Sequence, residues 1–110
     1  MIEINIKETA GKNTATRNDG EKIYKLIKEN WNKEDKIVVN FSSLIIASVS
    51  FLDEAFGQLA LDYSRDELQR KLDFKEIDQH DRALLNDILL ARLKQKKILG
   101  KKSRKKANQV

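Results

Sequence analysis

The chain contains no cysteine, no proline, one histidine and four glycines in 110 residues. Without cysteine there is no disulfide, no thiolate nucleophile and no cysteine-based zinc site. The missing proline carries no functional reading. A nucleophilic triad needs a histidine oriented beside a serine or cysteine. The one histidine, His80, stands among Asp78, Gln79 and Asp81 and reads as a solvated residue at the start of a helix. Gly11, Gly20, Gly57 and Gly100 are too scattered to form a phosphate-cradling loop. No apolar run approaches the ~20 residues needed to cross a bilayer. The segment Met1–Lys7 alternates and carries charge, unlike a signal peptide. Carboxylates are plentiful, but Asp53-Glu54 and Asp66-Glu67 fall at expected helix starts, where they complement the helix dipole. The expectation is a cytoplasmic protein without catalytic residues, cofactor, metal or membrane span.

What is present suits one domain. A chain of this length buries roughly two-thirds of the surface its unfolded form exposes, enough for a single core. Forty per cent of the residues are hydrophobic. The net charge of +5 is unevenly spread. Residues 92–110 hold nine Lys or Arg and no acid, while residues 1–91 hold thirteen basic residues against all seventeen acids, a balance of −4. Any attraction for acidic partners belongs to the C-terminal segment alone.

Ile2, Ile4 and Ile6 alternate with polar residues, the pattern of a half-buried strand. Residues 8–18 read as a loop. Ile23, Leu26, Ile27 and Trp31 form one apolar stripe, which predicts a helix from Asp19 to Asn32 with Asn18 as its cap. The β-branched run Ile37–Phe41 predicts a central strand. Leu44–Ala47 is a short apolar stretch leading to a helix over 50–64, with Ser50 as its N-cap and Asp53 three residues on. Arg65–Lys71 adds a helical turn, Leu72–Ile77 alternates as a third strand, and Asp78 caps a last helix carrying Leu84, Leu85, Ile88, Leu89 and Leu93. Strands alternating with helices predict an α/β fold with a small, mostly parallel sheet of about four strands and three or four helices. The expected division is a domain over residues 1–99 and a disordered basic tail over 100–110.

The segment from Val38 to Gly57 resembles the signature of STAS domains, named for sulfate transporters and anti-sigma-factor antagonists, and is most similar to the STAS-like family of unknown function. The resemblance rests on Ser50-Phe51-Leu52-Asp53-Glu54 at the helix start, on Thr16-Arg17-Asn18-Asp19-Gly20-Glu21-Lys22 before the first long helix, and on the final strand–helix pair. It covers residues 2–95. It implies a four- or five-stranded sheet carrying helices and a protein-binding mode of action. In the anti-sigma antagonists a serine at the start of the second helix is phosphorylated by a partner kinase of the histidine-kinase ATPase type, and the complex then breaks. By resemblance that serine is Ser50, with Ser48 two residues earlier. The antagonists carry an Asp-Ser-Ser-Gly type of sequence, where this chain has Ser48-Val49-Ser50-Phe51.

Three roles stand open for Ser50: a helix cap, a phosphoacceptor, or a direct partner contact, with Ser48 and Asp53 in the same contact surface. Arg17, in a polar segment before a helix, is either a solvated or ion-paired arginine or a contact for an acidic group on a partner. Lys101, Lys102, Arg104, Lys105 and Lys106 give the tail phosphate attraction without sequence reading, since no aromatic residue is interleaved for base stacking. The leading expectation is a regulatory protein-interaction module whose partner is a histidine-kinase-type ATPase. The alternative is a nucleic-acid-associated regulator that uses the tail.

Overall fold

The computed structural model describes the backbone of residues 1–108 and the side chains of residues 1–97 apart from Ile46. In chain order the elements are β1 (Ile2–Asn5), α1 (Ile6–Ala10), β2 (Thr14–Ala15), α2 (Arg17–Asn30), β3 (Ile37–Asn40), β4 (Ile46–Ala47), α3 (Val49–Leu52), a π-helical turn (Asp53–Gly57), α4 (Gln58–Asp62), α5 (Arg65–Lys71), β5 (Leu72–Lys75) and α6 (Gln79–Asn108).

β3 lies between β1 and β5, and both pairings are parallel. The register sets Ile2, Ile37 and Leu72 side by side, and likewise Ile4, Val39 and Phe74. One face of the sheet is therefore apolar. The core lies between that face and the helices, with Ile23 and Ile27 of α2, Phe51, Phe56 and Leu59 of the central helical run, and Leu85 of α6 all buried. Full burial of each such side chain is worth roughly 1.5–3 kcal/mol. The opposite face carries Glu3, Asn5, Val38, Asn40, Asp73 and Lys75. There Asn40 Nδ2 donates to Glu3 Oε2 at 3.1 Å and Lys75 lies 3.5 Å from Glu3. The predicted α/β class, the interior strand at Ile37–Phe41 and the third strand near Leu72 are all present.

Three local features depart from the sequence reading. The stretch read as a loop over 8–18 contains the end of α1 and the whole of β2. Asn5 starts α1 by accepting the Glu8 N–H at 2.9 Å, so Ile6 belongs to a helical turn rather than to the first strand. β2 pairs in parallel with β4, forming a second, two-stranded sheet that ties the start of α2 to the start of α3. Finally, α2 begins at Arg17, not Asp19, and its cap is Thr16 rather than Asn18.

Asp78 does cap α6, accepting the Asp81 N–H at 2.8 Å. The domain boundary set at residue 100 falls within α6, and the tail expected over 100–110 lies outside the residues whose side chains are described. Among the described residues no helix is long and apolar enough to cross a membrane.

Candidate functional site

The sequence-derived candidates converge on the corner where β2 and β4 deliver the chain into α2 and α3. Each helix start is built by a polar side chain. At α2, the Asp19 carboxylate accepts the Thr16 N–H at 2.8 Å and the Thr16 hydroxyl at 3.0 Å, with Lys12 at 3.4 Å. Asp19 is only 3% exposed. Burial pushes its carboxyl up, but the two Thr16 hydrogen bonds and the Lys12 charge outweigh burial and leave it below the usual range. The Thr-x-x-Asp spacing was the signal for this cap in the sequence.

At α3 the cap is Ser48, which corrects the assignment to Ser50. Ser48 Oγ accepts the Phe51 N–H at 3.0 Å, and its hydroxyl donates to the Ala15 carbonyl at 3.1 Å. Its backbone N–H reaches the same carbonyl at 3.3 Å. Ser48 thus joins β2 to α3 and is occupied by the fold. A cap at Ser48 also turns Phe51 and Leu52 into the core, which a helix starting at Ser50 would not specify. Ser50, in the first turn, is exposed.

α2 and α3 touch through Gly20. A Cβ at that position would stand 2.8 Å from the Phe51 carbonyl oxygen and 2.9 Å from Glu54 Cβ. This close approach brings Arg17 near the central helical run, where its charge helps to lower the Asp53 pKa. The principal partner of Asp53 is Arg92 of α6. Arg92 Nε donates to Oδ1 at 2.8 Å and Nη2 to Oδ2 at 2.5 Å, a two-pronged pair. These bonds hold the Asp53 carboxyl below the usual range against the opposing effect of burial. Asp53 is therefore not a free acid beside Ser50, because its charge is matched across the helix interface.

The outward side of the corner is different in character. Ile45 is 71% exposed and Val49 is 58% exposed. They flank Ser48 in sequence, and Val49 adjoins Ser50. Four residues singled out from the sequence, Arg17, Ser48, Ser50 and Asp53, thus belong to one region, with Ser48 and Asp53 structural and Ser50 and Arg17 exposed. Sequence reasoning missed Ile45, Val49 and Arg92. Ile45 was read as part of the apolar lead-in Leu44–Ala47, Val49 only as a member of Ser48-Val49-Ser50-Phe51, and Arg92 only as the first charge of a basic segment. The tail candidates Lys101, Lys102, Arg104, Lys105 and Lys106 lie outside the described side chains.

The family model of the STAS-like domain of unknown function (DUF4325) matches residues 19–82, more than half of the chain. The matched span runs from the first turn of α2 through the corner and β5 to the first turn of α6. No curated protein matches the chain, and no solved structure does.

Proposed function

The chain belongs to the STAS-like domain family, and on that premise we propose that it is a cytoplasmic, non-enzymatic regulatory module whose protein partner seats on the β4–α3 corner. The observation that carries this reading is the exposed apolar pair Ile45 and Val49 beside exposed Ser50. Large aliphatic side chains held out to water just before β4 and at the first residue of α3 favour contact with a partner, since covering them removes apolar area from solvent. Arg17 supplies a cation at the edge of the same region.

The partner that suits this corner is a histidine-kinase-type ATPase, by the family likeness to anti-sigma antagonists. Ser50 has the accessibility that a phosphoacceptor needs, and Ser48, tied to Ala15 and Phe51, does not. A phosphate on Ser50 adds about −1.5 to −2 charges beside the apolar pair. The N-terminal turn of the helix tolerates it through its free N–H groups. A partner that buries Ile45 and Val49 would have to desolvate that charge, so the complex opens.

The test is a titration of the full chain against the histidine-kinase-type ATPase of its own host. Ser50→Ala should bind as the parent does, whereas Ser50→Asp should bind about tenfold or more weakly, as for a charge placed in an interface. Equal affinity for Ser50→Asp would remove the switch.

A second reading is favoured by the nine basic residues of 92–110, which would attract a polyanion such as nucleic acid. Two of the nine already serve the fold, Arg92 on Asp53 and Lys96 on the Tyr63 carbonyl at 2.7 Å. Binding through the remainder would fall steeply with salt and vanish on removal of residues 100–110. Salt-insensitive binding would count against it.

A further inference from the structure

β5 is an edge strand: it pairs with β3 on one side and, among the described residues, with no strand on the other. The Lys75 carbonyl accepts the Phe41 N–H at 2.9 Å, so Lys75, and Asp73 two residues earlier, direct their backbone groups toward β3. Phe74 between them directs its N–H and C=O outward. Its carbonyl accepts a hydrogen bond from Arg82 Nη2 at 3.4 Å, on the exposed surface, which an incoming strand would have to displace. Beside this edge, α5 and α6 leave a groove of about 450 Å³ lined in part by leucines, Leu90 among them, and in part by Arg65, Gln69, Arg82 and Asn86. Leu90 is 53% exposed.

We propose that this edge is a self-association surface on which a second copy of the chain adds its own β5, antiparallel, about a two-fold axis through Phe74. The charge pattern of the strand selects that occupant. With Phe74 opposite Phe74 of the second copy, the two residues exchange both outward hydrogen bonds. Asp73 of each copy then stands opposite Lys75 of the other, on the polar face of the sheet, in the closely spaced type of cross-strand pair, with Lys75 shared between that Asp73 and its own Glu3 at 3.5 Å. The strand is thus complementary to itself in this register, and each dimer contains the Asp73–Lys75 pair twice. β1 offers no equivalent, because Glu3 is the one charged residue of Ile2–Asn5 and can face only another Glu3 or Asn5. The same operation sets the two grooves facing each other on the helical side, where Leu90 loses its exposure. The ladder is short, since Glu76 leaves the strand at φ 59.

Sedimentation equilibrium of the full chain, from micromolar to sub-millimolar concentration, tests the proposal. The expected result is a reversible dimer at twice the 12.7 kDa chain mass. Asp73→Lys and Lys75→Asp should each weaken it about tenfold or more, because like charges then face each other twice. The double variant carrying both changes should recover association to within about threefold of the parent, the result expected when two residues act through each other. Circular dichroism melts verify that each variant is folded, and exchange of the Phe74 amide should slow as protein concentration rises. A strictly monomeric chain overturns the proposal. So does a dimer indifferent to the single changes, or one that the double change fails to restore. Neither result bears on the β4–α3 corner, which lies on other elements.

Discussion

The corner at α3 and the edge at β5 invert each other. At the corner, polar groups are turned inward, with Asp19 buried on Thr16 and Ser48 spent on Ala15 and Phe51, while Ile45 and Val49 face water. At the edge, leucines line a recess and Asp73 and Lys75 face outward. A surface of exposed aliphatic groups on a polar scaffold suits a different protein with its own apolar patch. A strand whose charges answer one another suits a second copy of itself. The lesson is that neighbouring serines of one helix start separate by their bonding: Ser48, bonded to Ala15 and Phe51, is structural, and Ser50 is exposed.

The largest expected effect removes the frame that both regions share. Val39 is fully buried in the central strand, and Val39→Asp would bury an unpaired charge. The cost should consume most of a stability of about 5–15 kcal/mol and unfold the domain. A melting temperature within a few degrees of the parent would show that the core is misdrawn.

Gly20→Ala attacks the corner alone. Its new methyl group meets a backbone oxygen, which cannot rotate away, and the helices must separate at a cost of about 1–3 kcal/mol. Denaturant titration should show that loss with an unchanged slope, and a neutral or stabilising result would mean that α2 and α3 are less closely packed than described. Ser48→Ala should cost about 1 kcal/mol for the lost cap, and Ser50→Ala only a few tenths. The reverse ranking would return the cap to Ser50.

Acid sharpens the same comparison. Asp19 and Asp53 both have carboxyls held below their unfolded range, so their contribution is complete above about pH 5 and is lost as pH falls through the lowered folded-state values. Melting temperature should therefore fall on acidification below about pH 4. In Asp53→Asn the fall should be shallower, because one of the linked carboxyls is gone. An identical acid profile in that variant would mean that the Arg92 pair contributes nothing.

Much of this fold was legible because it rests on periodicity. The alternation of Ile2 and Ile4, the β-branched run at Ile37 and the stripe Ile23–Leu26–Ile27 each fall in an element of the predicted type, with the ends displaced: Ile6 goes to α1, and α2 runs from Arg17 to Asn30. What escaped was either too short to have a period or was fixed from a distance. β2 is two residues long and exists because β4 pairs with it. The five residues of α1 cannot display a stripe. The choice of Ser48 over Ser50 depends on the Ala15 carbonyl, and the Asp53–Arg92 pair spans 39 residues. Nothing in the local pattern marks Ile45 and Val49 as exposed, and the path of β4 into α3 turns them outward.

The central claim is that the outer layer of the corner binds and the inner layer merely holds it in place. The paired variant Ile45→Asp/Val49→Asp tests that division most directly. Both side chains are largely exposed, so the melting temperature should stay within a few degrees of the parent. Affinity for the histidine-kinase-type ATPase should nevertheless fall by about a hundredfold, as for loss of an apolar anchor at the centre of an interface. A folded double variant that binds that ATPase as tightly as the parent would contradict the account.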